Sequence, residues 1–139
     1  MAAVPGTNSS ETLLGTPADD VITGFGGNDV LTGGGGLDVF AYPARGFGQD
    51  TITDFTQGQD RIDFSQLGIG DFSSIQPFFS QSGADTVINF FFNGNAESIT
   101  IGGLLPNQLT ASDFIFDTTT TAKTFTGNNG TADLLIGGL

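Results

Sequence analysis

The 139-residue chain has no cysteine, no histidine and no tryptophan, and only three basic residues, Arg45, Arg61 and Lys123, against fifteen acidic ones. Without cysteine there are no disulfides or thiolate zinc sites; without histidine there are no Ser-His-Asp triads, Cys-His nucleophiles or imidazole-ligated haems. A formal net charge of −12 cannot neutralise phosphates, so no nucleic-acid partner is expected, anionic membrane surfaces are poor partners, and cations are the natural ones. No apolar run approaches the roughly 20 residues that span a bilayer. The start of the chain shows no basic region followed by an apolar stretch, so neither a membrane span nor a cleavable leader is expected. What the chain does have is 22 glycines and 14 phenylalanines. Disordered chains are poor in aromatics, so the phenylalanines predict a packed core beside a glycine-rich segment.

The glycines are periodic. Gly6, Gly15, Gly24 and Gly33 each open a nine-residue unit, whose sixth position holds Glu11, Asp20, Asp29 and Asp38 and whose eighth holds Leu13, Ile22, Leu31 and Phe40. A flexible linker has no reason to keep an apolar residue two places after each acid at constant period. A glycine-rich turn reaches left-handed conformations that residues with a Cβ resist. The three residues after each acid, such as Val30-Leu31-Thr32, make a very short strand with one inward side chain, so a unit has almost no core of its own and must stack. Two units make one coil of eighteen residues. Stacked coils bring Asp20 near Asp38 and Glu11 near Asp29, where bare carboxylates repel and a hard cation resolves the conflict. Calcium takes six to eight oxygens from carboxylates and carbonyls in flexible geometry, whereas magnesium demands a near-ideal octahedron.

The third and fourth units, Gly24-Phe25-Gly26-Gly27-Asn28-Asp29-Val30-Leu31-Thr32 and Gly33-Gly34-Gly35-Gly36-Leu37-Asp38-Val39-Phe40-Ala41, resemble the RTX nonapeptide Gly-Gly-x-Gly-x-Asp-x-U-x, with U a large apolar residue, a calcium-binding repeat of the β-helix type. The first two depart from it, with Thr7-Asn8-Ser9 and Thr16-Pro17-Ala18 where glycines belong. After an insertion of about three residues around Tyr42-Pro43-Ala44 the pattern returns in Gly46-Phe47-Gly48-Gln49-Asp50-Thr51-Ile52, which places Asp50 opposite Asp29. The resemblance implies an all-β fold, a right-handed parallel β-roll followed by a β-sandwich-like cap. It also implies several Ca2+ ions held by Asp20, Asp29, Asp38 and Asp50 with the turn glycines Gly24, Gly26, Gly27, Gly33, Gly35, Gly36, Gly46 and Gly48. Asp54 and Asp60 lie in a segment that looks like the end of the repeat array in serralysin-type domains; they are either further ligands or turn carboxylates beside Arg61.

Residues 66–117 hold most of the phenylalanines. Asp85 to Phe92 and Glu97 to Ile101 read as strands of a hairpin around Asn93-Gly94-Asn95. Phe90 to Phe92 read as a core strand capping the open end of the roll, and Asp71 as the N-cap of a short helical turn. Leu109 to Phe116 matches the Leu-x-x-x-Asp-Phe ending of the same family. The expected organisation is a calcium-binding roll at 6–53, a phenylalanine-rich cap of the same domain at 54–117, a polar linker at 118–127 and the start of a further repeat at 128–139.

With about two carboxylates per site, affinity is expected in the range of extracellular modules, about 10⁻⁴ to 10⁻³ M. Ion binding and folding are then one event, because the metal-free repeats bury little and carry excess negative charge. The resemblance implies a secreted, extracellular module that folds on calcium and stabilises its parent or aids its type I secretion. Its neighbours are expected to be further RTX blocks or a catalytic domain elsewhere in the parent, since the module itself is not read as an enzyme. The alternative is a calcium-dependent carbohydrate-binding or adhesin module, as in mannuronan epimerases, whose repeat modules assist binding to acidic polysaccharide.

Overall fold

The computed structural model describes residues 2–92 and 95–117, and over these the fold is all-β. Six strands, each three or four residues long, fill the repeat region: β1 (Ala2–Pro5), β2 (Thr12–Leu14), β3 (Asp20–Thr23), β4 (Val30–Thr32), β5 (Val39–Ala41) and β6 (Gln49–Ile52). β7 (Arg61–Asp63), β8 (Phe79–Ser82), β9 (Asp85–Phe92), β10 (Asn95–Ile101) and β11 (Phe114–Ile115) follow, with four short 3-10 turns among them. No helix among the described residues is long and apolar enough to cross a membrane.

Odd and even strands of the repeats go to opposite sheets. One sheet has the order β1-β3-β5-β7-β11 and is parallel throughout; the other has the order β2-β4-β6-β10-β9-β8. Register confirms the two-unit coil, because Ala2 pairs with Asp20, Thr12 with Val30 and Val21 with Val39. The insertion after Ala41 widens the coil, so Val30 pairs with Thr51 and Val39 with Arg61. β7 and β11 extend the first sheet, while β10 joins β6 in parallel and then turns the second sheet antiparallel through β9 and β8.

The interior is set by the eighth position of each unit. Ile22 and Phe40 are buried side by side on one sheet and Leu31 and Ile52 on the other, and Leu13 at the outer coil is half-buried. A single such residue per strand is too little to hold an isolated unit, which is why the coil ends in a thicker aromatic core. Phe64 stacks on Phe114 at 5.6 Å and meets Phe90 edge-on at 5.6 Å, while Tyr42 meets Phe47 edge-on at 4.7 Å. Such aromatic pairs contribute roughly 0.5–1.5 kcal/mol each beyond their buried area. Phe90 is accordingly a core residue, and β9 and β10 pair antiparallel as the expected hairpin, β10 starting two residues earlier at Asn95. The Asn93-Gly94 turn between them, the 118–127 linker and the 128–139 repeat lie outside the described residues. Asp71 caps its 3-10 turn by accepting from the Ser74 amide at 2.9 Å, and its hydrogen bonds to Ser74 and Ser73 hold its carboxyl below the usual range.

Candidate metal centre

The turns stack as closely as the strands, because their glycines leave no room for a Cβ. A Cβ on Gly34 would sit 2.7 Å from the Thr16 carbonyl oxygen, one on Gly35 3.0 Å from that of Pro17, and one on Gly36 2.8 Å from that of Ala18. Consecutive turns on one side of the roll therefore press carbonyl oxygens against the next turn's backbone. A Cβ on Gly24 would come 2.5 Å from Oδ2 of Asp29, and one on Gly33 would overlap Oδ2 of Asp38. The cradle beside each of these carboxylates exists only because the residue there is glycine.

The acids form two ladders, one on each side of the roll. On one side the Glu11 amide donates to Asp29 Oδ1 at 3.0 Å and the Asp29 amide donates to Asp50 Oδ1 at 3.0 Å. On the other, the Asp20 amide donates to Asp38 Oδ1 at 3.0 Å and the Asp38 amide to Asp60 Oδ1 at 3.1 Å. The pairings inferred from the eighteen-residue coil are thus brought together, as is Asp50 with Asp29. Each of these acids is buried except Glu11, which is half-buried.

What the ladder leaves over is decisive for chemistry. Oδ2 of Asp29, Asp38 and Asp50 is buried and has no hydrogen-bond partner. A buried anionic oxygen without a donor costs far more than a paired one, so such atoms call for a proton or a cation. Burial pushes all three carboxyls up, with neighbouring carboxylates adding to it: Asp29 above the usual range, Asp38 to about 6 and Asp50 to about 7. The donor set is entirely hard oxygen, which fits calcium and not a soft metal. No group of three or more acidic side chains converges among the described residues, so a site here combines at most two carboxylates with backbone carbonyls, as the repeat pattern implied.

The other acids named from sequence are already engaged. Asp20 Oδ2 accepts from the Thr16 amide at 2.6 Å, and the Thr16 hydroxyl reaches both oxygens. Asp60 Oδ2 accepts from the Thr56 amide at 2.9 Å. Asp54 accepts from the Gly33 amide through Oδ1 and from the Gly34 amide through Oδ2, both at 2.8 Å. Two residues escaped the sequence reading. Glu97, buried on β10, accepts from the amides of Gly46 at 2.8 Å and Phe47 at 3.1 Å, closing the last repeat turn from above. Its signal was present: in Glu97-Ser98-Ile99-Thr100-Ile101 strand alternation puts the acid on the same inward face as Ile99 and Ile101. Tyr42 is buried with its hydroxyl facing Asp50, and burial together with that carboxylate holds the phenol well above its ordinary pKa.

Comparison with known proteins agrees with this geometry. The family model of the RTX calcium-binding nonapeptide repeat matches residues 5–40 in four copies. The mannuronan C5-epimerase AlgE2 of Azotobacter vinelandii is 38% identical over 94 residues, which cover 60% of this chain and 9% of the epimerase. Among solved structures, the AlgE6R3 subunit of the Azotobacter vinelandii mannuronan C5-epimerase matches with a TM-score of 0.53 at 26% identity over 92% of both chains. The extracellular lipase LipA of Serratia marcescens matches with a TM-score of 0.58 at 19% identity, over 82% of this chain and 20% of the lipase, and shares the fold.

Proposed function

We propose that this chain, whose residues 5–40 match the model of the RTX calcium-binding nonapeptide repeat, is a module that folds around Ca2+ outside the cell and stabilises, or aids the type I secretion of, a larger parent protein. The observation that carries the reading is the set of three buried, unpartnered carboxylate oxygens on Asp29, Asp38 and Asp50. Calcium bound there supplies the positive charge that lets facing carboxylates coexist and ties one coil to the next. The residues' own work is to hold that arrangement: amides of the coil below fix Oδ1 of each acid, Asp54 and Glu97 anchor the turn amides, and the glycines keep the cradle open. Gly24, Gly26, Gly27, Gly33, Gly35, Gly36, Gly46 and Gly48 are proposed to contribute through their turns' carbonyls.

In this reading residues 6–53 are the calcium roll, 54–117 its cap within one domain, 118–127 a linker and 128–139 the start of another repeat. The repeat module is not itself a catalyst; a catalytic domain elsewhere in the parent is part of the proposal. The chain spans 9% of the epimerase it resembles and 20% of the lipase, so the parent's activity lies beyond what this module carries. The test is far-UV circular dichroism after chelation, titrated with calcium and, separately, magnesium. A cooperative gain of β signal at roughly 0.1 to 1 mM calcium and not with magnesium is expected. A folded spectrum indifferent to chelator would overturn metal-driven folding.

A second reading is favoured by the name of one relative, which acts on mannuronan: calcium-dependent binding of an acidic polysaccharide. A −12 chain would need bound calcium to bridge an anionic glycan. Salt-sensitive retention on a polyuronate matrix that vanishes with chelator supports this reading; equal retention on a neutral glucan counts against it.

A further inference from the structure

The six repeat turns fall into two classes, and the residue at the second position separates them. In three turns this residue is threonine, and its amide donates to the acid four residues on: Thr7 to Glu11, Thr16 to Asp20 and Thr56 to Asp60. The hydroxyl adds a second bond in two of them, Thr7 to Glu11 at 3.2 Å and Thr16 to Asp20 at 3.0 Å. In the other three turns the second residue is left-handed: Phe25 at φ +64, Gly34 at +84 and Gly46 at +87. Two of these amides are bound by an acid other than that of their own turn. Gly34 donates to Asp54 and Gly46 to Glu97, each at 2.8 Å. These are the turns of Asp29, Asp38 and Asp50, the three acids whose Oδ2 is buried without a partner.

We infer that the second residue decides which turns take calcium: the open turns 24–29, 33–38 and 46–50 do, and the threonine-closed turns 7–11, 16–20 and 56–60 do not. The inference rests on the calcium reading above and sharpens it. A carboxylate that already accepts a donor from its own turn has less to gain from a cation, whereas one whose buried oxygen receives none from its own turn has more of its desolvation cost to recover. Phe25 is the only non-glycine residue with a positive φ among the described residues, and it is 44% exposed. A phenylalanine held there without burying its ring shows that the turn, not the side chain, dictates the conformation. The fourth position must be left-handed as well, as it is at Gly27, Gly36 and Gly48; among the closed turns only 56–60 meets this, through Gly58 at φ +82.

Two substitutions in the full chain test the rule in opposite directions. Phe25→Thr places a threonine four residues before Asp29 and should close that turn, lowering the number of calcium ions bound per chain by one. Thr56→Gly recreates the glycine pair of the open turns and should release Asp60 Oδ2 beside Asp38, raising the number by one. Stoichiometry is read by calorimetric titration of chelator-stripped protein, with circular dichroism at saturating calcium as the check that each variant folds. An unchanged count in either folded variant overturns the inference. If Phe25→Thr does not fold, Thr56→Gly alone decides. Should the parent chain itself bind no calcium, the proposed function fails first, an outcome distinct from a parent that binds while the variants leave the count unmoved.

Discussion

Gly36 and Gly58 share a backbone angle and differ only in what surrounds them, which separates two reasons for a glycine. Both have φ +82, but a Cβ on Gly36 would lie 2.6 Å from the Ala18 carbonyl carbon, while one on Gly58 meets nothing within 4 Å. Gly58→Ala should cost about 1 kcal/mol for the left-handed backbone, whereas Gly36→Ala should cost at least about 2 kcal/mol more, because two turns must separate. Urea denaturation in saturating calcium measures both; equal losses would mean that the turns are not close-packed. Asp50 offers a sharper contrast. Asp50→Asn keeps the oxygen that accepts from the Asp29 amide and removes the buried charge. Without calcium the variant should be more stable than the parent at neutral pH, by about 1–3 kcal/mol, the usual cost of an unsatisfied buried group. With calcium the order should reverse. A purely structural aspartate would lose stability in both conditions, so the crossover itself is the diagnostic.

At the scale of elements, the roll and its cap have unequal means of support. β3 to β5 each bury one apolar residue in the core, Ile22, Leu31 or Phe40, whereas the β8 to β10 segment is antiparallel and packs on the aromatic cluster of Phe64, Phe90 and Phe114. In amide hydrogen exchange without calcium, β9 and β10 should retain protection while β2 to β5 exchange freely; calcium should protect the latter by at least about tenfold. Equal protection of both regions without metal would show that the cap alone organises the roll. The same contrast explains what could be read in advance. The nine-residue period gave the coil, the strand pairs and the two ladders, because a strict period leaves one way to stack. The junction was less legible: Gly46 to Ile52 showed its turn, but nothing local says that β10 will lie against β6, since that pairing joins Ser98 to Gln49 across about a third of the chain. The two classes of turn were illegible for another reason. Thr16 stood out as a departure where Gly34 keeps the glycine, but only the destination of their amides, Asp20 in one case and Asp54 in the other, shows what the departure does.

For the whole molecule, a net charge of −12 concentrated in stacked turns makes stability a joint function of calcium and protons. Asp38 and Asp50 have folded-state pKa values raised by burial to about 6 and about 7, from 3.8. The folded, metal-free chain therefore holds more protons than the unfolded chain between about pH 4 and pH 7. Stability of the metal-free form must then rise as pH falls through that window and be lost as pH climbs past 7. Calcium acts in the opposite direction, because its ligands must be ionised and protons compete for the same oxygens. The gain in Tm from saturating calcium should accordingly be large at pH 7.5 and shrink steadily toward pH 5, with calcium affinity falling by up to about tenfold per pH unit for each proton displaced. General relief of self-repulsion by acid would also favour the metal-free fold, but it depends on overall charge and is screened by salt. The double variant Asp38→Asn/Asp50→Asn separates the two: it should flatten the metal-free profile between pH 5 and 7 while leaving the salt dependence nearly unchanged. A profile that keeps its slope in that variant would assign the pH response to the molecule's total charge and not to the two buried carboxyls.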